Sequence, residues 1–255
     1  MSLNDLLSSE MIVWIEIIIL GLCFLGGLSV IILGAVFMSK RQCSGILGCT
    51  VVLRGIALSL SFAYPILAII LSKTAGDRAI AAFSSIFSPL SSILALAYFV
   101  LLLVFCRFIL RCKVWVIPVS AVIYVINFIA VNRSTHYLYL LREEIRRNRE
   151  ITGGTVLPWI IWFTVSLILL IAINLIIIAV LHKGRNVLPQ YAKISTFYIV
   201  LLCISFVDRF IPLAYLLPEF IYMLLGLVQS IVTIVVWIVF GVYLVKRANA
   251  CAIDN

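Results

Sequence analysis

The chain has 255 residues, 65% of them hydrophobic and only 11% charged, with a mean hydropathy of +1.26; a soluble domain is nearer half apolar and a quarter charged, so an ordinary water-soluble fold is excluded. The net charge of +9 would suggest nucleic acid in a soluble chain. Here the basic residues are parcelled among breaks between apolar runs, where they meet water and lipid phosphates, and no nucleic-acid partner is expected.

Apolar runs of about 20 residues or more, enough to cross roughly 30 Å of hydrocarbon, recur along the chain. They predict an all-α polytopic membrane protein, one domain over 1–255, with seven transmembrane helices at 11–38, 45–72, 79–105, 114–131, 157–181, 194–216 and 219–245. The segment before the first helix carries Asp5 and Glu10 and no basic residue, the wrong charge for a signal peptide, so the first run is read as a retained helix. The fourth helix is the shortest, and Asp208 and Arg209 interrupt the sixth.

Lys40 and Arg41 directly follow the first helix, which favours an N-terminus outside and a C-terminus in the cytoplasm, with the plasma membrane as the default location. The inner set is then Lys40, Arg41, Arg107, Arg111, Lys113, Lys183, Arg185, Lys193, Lys246 and Arg247. Within 132–156, the longest break, Tyr137, Leu140, Leu141 and Ile145 fall at helical spacing. This predicts a separate short amphipathic helix on the outer surface, with Glu143 and Glu144 placed to pair with Arg147. Asn132-Arg133-Ser134 fits the glycosylation pattern but abuts the end of helix four.

No metal-ligand cluster, carboxylate pair or nucleophile–base arrangement is visible, so neither a cofactor nor an enzymatic activity is expected. None of the seven cysteines falls in a predicted outer loop, which leaves no disulfide framework.

Charges within membrane helices cost several kcal/mol and usually face the bundle or water. Arg54, about ten residues into helix two, is expected in an inner polar network with Gln229, Ser230 and Thr233 of helix seven; an interhelical structural hydrogen bond is the simpler role. Glu16, Asp208 and Arg209 fall in the outer third. With the hydroxyl stripe Ser84, Ser88 and Ser91 of helix three they form the candidate lining of an outward cavity for a small ligand. Interfacial snorkelling is the simpler explanation of the charges, and a close-packed seam the simpler one of the serines. Pro65, Pro89, Pro158 and Pro212, each in the outer half, would splay that end of the bundle.

Cys106-Arg107-Phe108 at the inner end of helix three, Trp115 early in helix four and the helix-seven stretch LVQSIVTIVVWIVFG carry a family resemblance. With the seven-helix layout they resemble a divergent G-protein-coupled receptor. The triplet is similar to the Asp-Arg-Tyr of rhodopsin-like receptors with the acid lost. The helix-seven stretch is loosely similar to the Leu-Gln-Gly-x-x-x-Asn of secretin-like and cyclic-AMP-receptor-like families, with Ser230 and Thr233 replacing glycine and asparagine. The resemblance implies that Arg107 holds the inactive state and meets a heterotrimeric G protein. Phe108, Arg111, Lys113, Lys183 and Arg185 would complete the cytoplasmic coupling surface, residues that the positive-inside rule also explains. The chain lacks the helix-three cysteine of such receptors, the Asn-Pro-x-x-Tyr of helix seven and a mid-helix lysine for retinal. Two rival readings are a small seven-helix transporter, suggested by Pro189-Gln190, and a non-catalytic subunit of a membrane complex.

Overall fold

A computed structural model of the chain describes residues 9–39, 45–74, 77–108, 112–146, 153–184, 193–210 and 219–253. These form seven α-helices and no strand: α1 (Ser9–Ser39), α2 (Gly45–Thr74), α3 (Asp77–Phe108), α4 (Val116–Arg146), α5 (Gly153–Gly184), α6 (Ile194–Phe210) and α7 (Glu219–Ile253). Five of them, α1, α2, α4, α5 and α7, are long and apolar enough to cross a bilayer. In α3 and α6 the described apolar stretches are shorter, Leu96–Arg107 and Ile194–Val207. The protein is a multi-pass, all-α membrane bundle. Its contacts divide it into two compact units, one of Met1–Phe105 with Ser230–Asn255 and the other of Cys106–Gln229.

In the first unit the tightest pairing is α1 with α2, and its register can be read from burial. On α1 the buried positions include Leu20, Cys23, Gly27, Val30, Gly34 and Phe37; on α2 they include Gly48, Val51, Gly55, Leu58 and Phe62. Both sets step by alternating threes and fours, the heptad period of a coiled coil, with two glycines seven residues apart in each, Gly27 and Gly34 on α1 and Gly48 and Gly55 on α2. The glycines are needed because backbone meets backbone. A Cβ on Gly27 would lie 2.9 Å from the Ser59 nitrogen, one on Gly55 2.8 Å from the Ile31 nitrogen, and one on Gly34 3.0 Å from the Val52 nitrogen. Lipid offers apolar side chains no hydrophobic reason to associate, so such close van der Waals packing holds the pair. The opposite stripe of α1, with Ile18, Leu22, Leu25 and Ile32, is exposed and apolar, as a lipid-facing surface should be. α7 closes on another side of α1, where Ile234 meets Gly26 and Leu33 meets Gly241. Tyr64 of α2 stacks on Phe83 of α3 and meets Phe87 at a tilt.

In the second unit α4 and α5 form the closest pair. α4 buries Ser120, Asn127, Ala130, Ser134, Leu138 and Leu141, and α5 buries Ser166, Leu170, Ile173, Ile177 and Leu181. Here the structure departs from the expectation from sequence. α4 does not end at residue 131 with a separate surface helix after it; it runs unbroken to Arg146, and so is far from the shortest helix. The polar segment Asn132–His136 contains no glycine or proline to stop it. The continuation also has a partner: Leu138 and Leu141 are buried while Ile145 is exposed, so its apolar face is that of α4, turned inward to the protein. α5 starts at Gly153, not 157, and its first turn is fastened to α4 by Thr155 Oγ1, which donates to the Glu144 carboxylate 2.8 Å from each oxygen. Asn132 is exposed in the body of α4, where a helix replaces the loop that a glycosylation acceptor needs. α6 is described only to Phe210, so the span expected over 194–216 is seen over its first 17 residues, and Pro212 lies outside the described residues. An aromatic group of Trp159, Phe163, Phe206 and Phe210 joins α5 to α6.

Candidate functional site

Arg54 is a cation set within the apolar span of α2. It lies about nine residues into α2 from Gly45, roughly 14 Å of helix rise. Successive spans alternate in direction, so the face at which α2 begins is the one where α3 and α7 end. Tyr98, about ten residues before Phe108, and Trp237, about nine before Lys246, therefore stand at the same depth. The three side chains meet there. The Arg54 guanidinium carbon is 5.7 Å from the Tyr98 ring centroid and 5.6 Å from that of Trp237. The two rings lie edge to face, 6.1 Å apart at 83°, and Phe240 extends the group with a T-shaped contact to Trp237.

Aromatic faces attract a guanidinium through the ring quadrupole, each contributing about 0.5–2 kcal/mol in a desolvated setting. They supply no hydrogen-bond acceptor. The Arg54 Nε is buried with no partner among the described residues, and the same holds for Nε1 of Trp237, whose side chain is only 4% exposed. The box thus presents positive charge and two unanswered N–H donors in the apolar middle of a bundle, a placement that by itself costs about 2.5–3.5 kcal/mol for the cation. Ser59 Oγ is also buried without a partner, but it faces the α1–α2 seam at Gly27.

Of the inner network expected around Arg54, Gln229 donates from Nε2 to the Ile204 carbonyl of α6 at 3.2 Å, and Ser230 and Thr233 are half-buried on α7. Tyr98 and Trp237, which lie beside Arg54, were legible to a depth argument. A tryptophan in mid-span is not an interfacial anchor, and its distance from the basic end of its helix matches that of Arg54.

At the end of α3, Arg107 donates from Nη1 to the Cys112 carbonyl at 3.1 Å, and the Cys112 nitrogen donates to the Cys106 carbonyl, also at 3.1 Å. The arginine is fastened to its own turn, as basic residues often are at a helix C-terminus. Burial pushes the Cys112 thiol up from its ordinary range, and the neighbouring Arg107 charge pulls the other way. Lys113 and Lys183 are exposed, and Trp115 is exposed in the turn before α4. Phe108 ends α3 with its side chain outside the described set, and Arg111 and Arg185 lie outside the described residues. Of the outward cavity residues, Glu16 is half-buried on α1. The side chains of Ser84, Ser88, Ser91, Asp208 and Arg209 lie outside the described set, and so does Pro189-Gln190. No group of three or more metal-ligating side chains occurs among the described residues.

Comparison with protein-family models, with curated proteins and with solved structures finds no match to the chain.

Proposed function

We propose that the protein is a membrane receptor of the seven-helix type, in which a small ligand held at the Arg54 box biases the packing of the bundle. The change is read on the cytoplasmic side by a partner such as a heterotrimeric G protein, at the basic surface of Arg107, Phe108, Arg111, Lys113, Lys183 and Arg185. The observation that carries this reading is the uncompensated Arg54. An intramembrane charge with no answering acid among the described residues is costly to keep, and such residues mark functional sites by default. A ligand that binds one packing better than another shifts their populations by its difference in affinity, so a site between helices is a sufficient trigger. The seven-helix layout and the Cys106-Arg107-Phe108 triplet support the choice of a receptor.

The test is nucleotide exchange on a purified heterotrimeric G protein by the full chain in nanodiscs, with and without a panel of small ligands. Ligand-stimulated exchange that is lost in Arg54→Leu and altered in Arg107→Ala is the expected result. Identical exchange by wild type and both variants under every condition overturns the receptor reading.

The depth of Arg54 also favours one rival. Carriers bind charged solutes near the bilayer midplane, and a small transporter would use the same box as its substrate site. Accumulation of solute inside proteoliposomes, abolished by Arg54→Leu and unaccompanied by G-protein exchange, would select it.

A further inference from the structure

We infer that the Arg54 box is a binding site for the carboxylate of an apolar-tailed monocarboxylic acid, an inference that rests on the Arg54 box being a ligand site and names its ligand class.

Three features of the box select this chemistry. The first is which part of the guanidinium is left unsatisfied. Tyr98 and Trp237 both lie against Arg54 and satisfy its charge in part, but the buried Nε has no acceptor. The Nε edge of a guanidinium is one of the two-donor forks that match a planar carboxylate. The second is the Trp237 Nε1–H, an unanswered buried donor on a ring that touches the same guanidinium. A carboxylate has lone pairs for both donors, since each oxygen accepts more than one hydrogen bond.

The third is charge. One cation stands at this depth with no acidic partner among the described side chains, so a single negative charge makes the filled site neutral, whereas a phosphate dianion would leave it charged again in hydrocarbon. Water would answer the donors but leave the cation uncompensated. The neighbours of these residues along their helices, among them Val51, Leu58, Leu102 and Phe240, are buried and apolar. A ligand reaching this depth therefore needs an apolar body behind its charged head, as medium-chain fatty acids have.

The test is equilibrium binding of radiolabelled octanoate to the full-length protein in nanodiscs, after subtraction of empty nanodiscs. Wild type is expected to bind saturably, with competition by unlabelled octanoate and none by octanol, which has the tail without the carboxylate. Trp237→Phe keeps the ring and removes one donor to a charged acceptor, so it should weaken binding about tenfold. Arg54→Lys keeps the charge and loses the fork, and should weaken it further; Arg54→Leu should abolish it.

Undiminished binding in Arg54→Leu, equal competition by octanol, or no saturable binding by wild type overturns the inference. Displacement by millimolar chloride as effectively as by octanoate also overturns it, because it marks a halide site. Trp237→Phe keeps the test decisive if the Arg54 variants fail to fold. The assay contains no G protein, so failure of the receptor reading leaves its outcome intact. A wild type that signals to another ligand without binding octanoate would retain the receptor and lose only the ligand class.

Discussion

Gly34 of α1 and Val52 of α2 touch through their backbones: a β-carbon on the glycine would come within 3.0 Å of the valine nitrogen and 3.2 Å of the Gly48 carbonyl oxygen. Neither of those atoms is the end of a flexible side chain, so the helices themselves would have to part. Gly34→Ala and Gly55→Ala are expected to destabilise the protein by about 1–3 kcal/mol, the usual cost of overpacking. Gly21→Ala on α1, with nothing within 4 Å of the added carbon, should be neutral or gain up to about 1 kcal/mol from helix propensity. Thermal melts of the three variants in one detergent check the contrast, and equal loss at Gly21 and Gly34 would refute it.

Removing the Arg54 charge should separate stability from function. Arg54 is half-buried with a buried, unpartnered Nε; replacing a fully buried, poorly paired ion by an apolar side chain of similar size is often neutral or stabilising by about 1–4 kcal/mol, and a smaller effect of the same sign is expected here. Arg54→Met is therefore expected to melt at or above the wild-type temperature while losing ligand binding. A large fall in melting temperature would mean that Arg54 is a structural tie.

The α4–α5 clasp should be measurable as a coupling. A hydroxyl bound to an ionised carboxylate contributes about 1.5–3 kcal/mol where it is sheltered from water. A cycle of Glu144→Gln, Thr155→Val and the double variant should show an interaction of about 1 kcal/mol after solvent screening. Additive single losses would show that the two residues act independently.

Cys112 offers a test of the turn at the end of α3. Its thiol is raised by burial and lowered in part by Arg107. At neutral pH less thiolate is present than at an ordinary cysteine, so alkylation should be slow and should accelerate only at more alkaline pH. Arg107→Gln keeps a donor for the Cys112 carbonyl and removes the charge, and should move the rate–pH midpoint higher still. Site-resolved mass spectrometry after timed labelling reads the midpoint; a shift to lower pH would contradict the assigned causes.

How far the sequence reveals this structure depends on where the decisive contacts lie. The spans are legible because hydrocarbon thickness imposes length and composition directly, and five helices meet that criterion. The course of α4 beyond residue 131 was not. Asn132, Arg133 and His136 look like a membrane exit, but leaving the membrane does not end a helix. What accompanies α4 onward is the burial of Leu138 and Leu141 and the tie of Glu144 to Thr155 of α5, which composition does not register. Arg54 stood out because one charge in an apolar run is conspicuous. Its aromatic neighbours, Tyr98 and Trp237, lie on helices far along the chain, and residue type alone does not point to them.

The unbroken α4 has a consequence for reagents raised against the protein. Its 31 residues make a rod of about 46 Å, and a bilayer core of about 30 Å covers only two-thirds of it. Its last turns are tied to the first turn of α5 by Glu144 and Thr155. An antibody or designed binder aimed at the segment after the fourth span should be selected against folded protein, because what it meets is the side of a helical post; a peptide immunogen cut from that segment would present an unconstrained chain in its place.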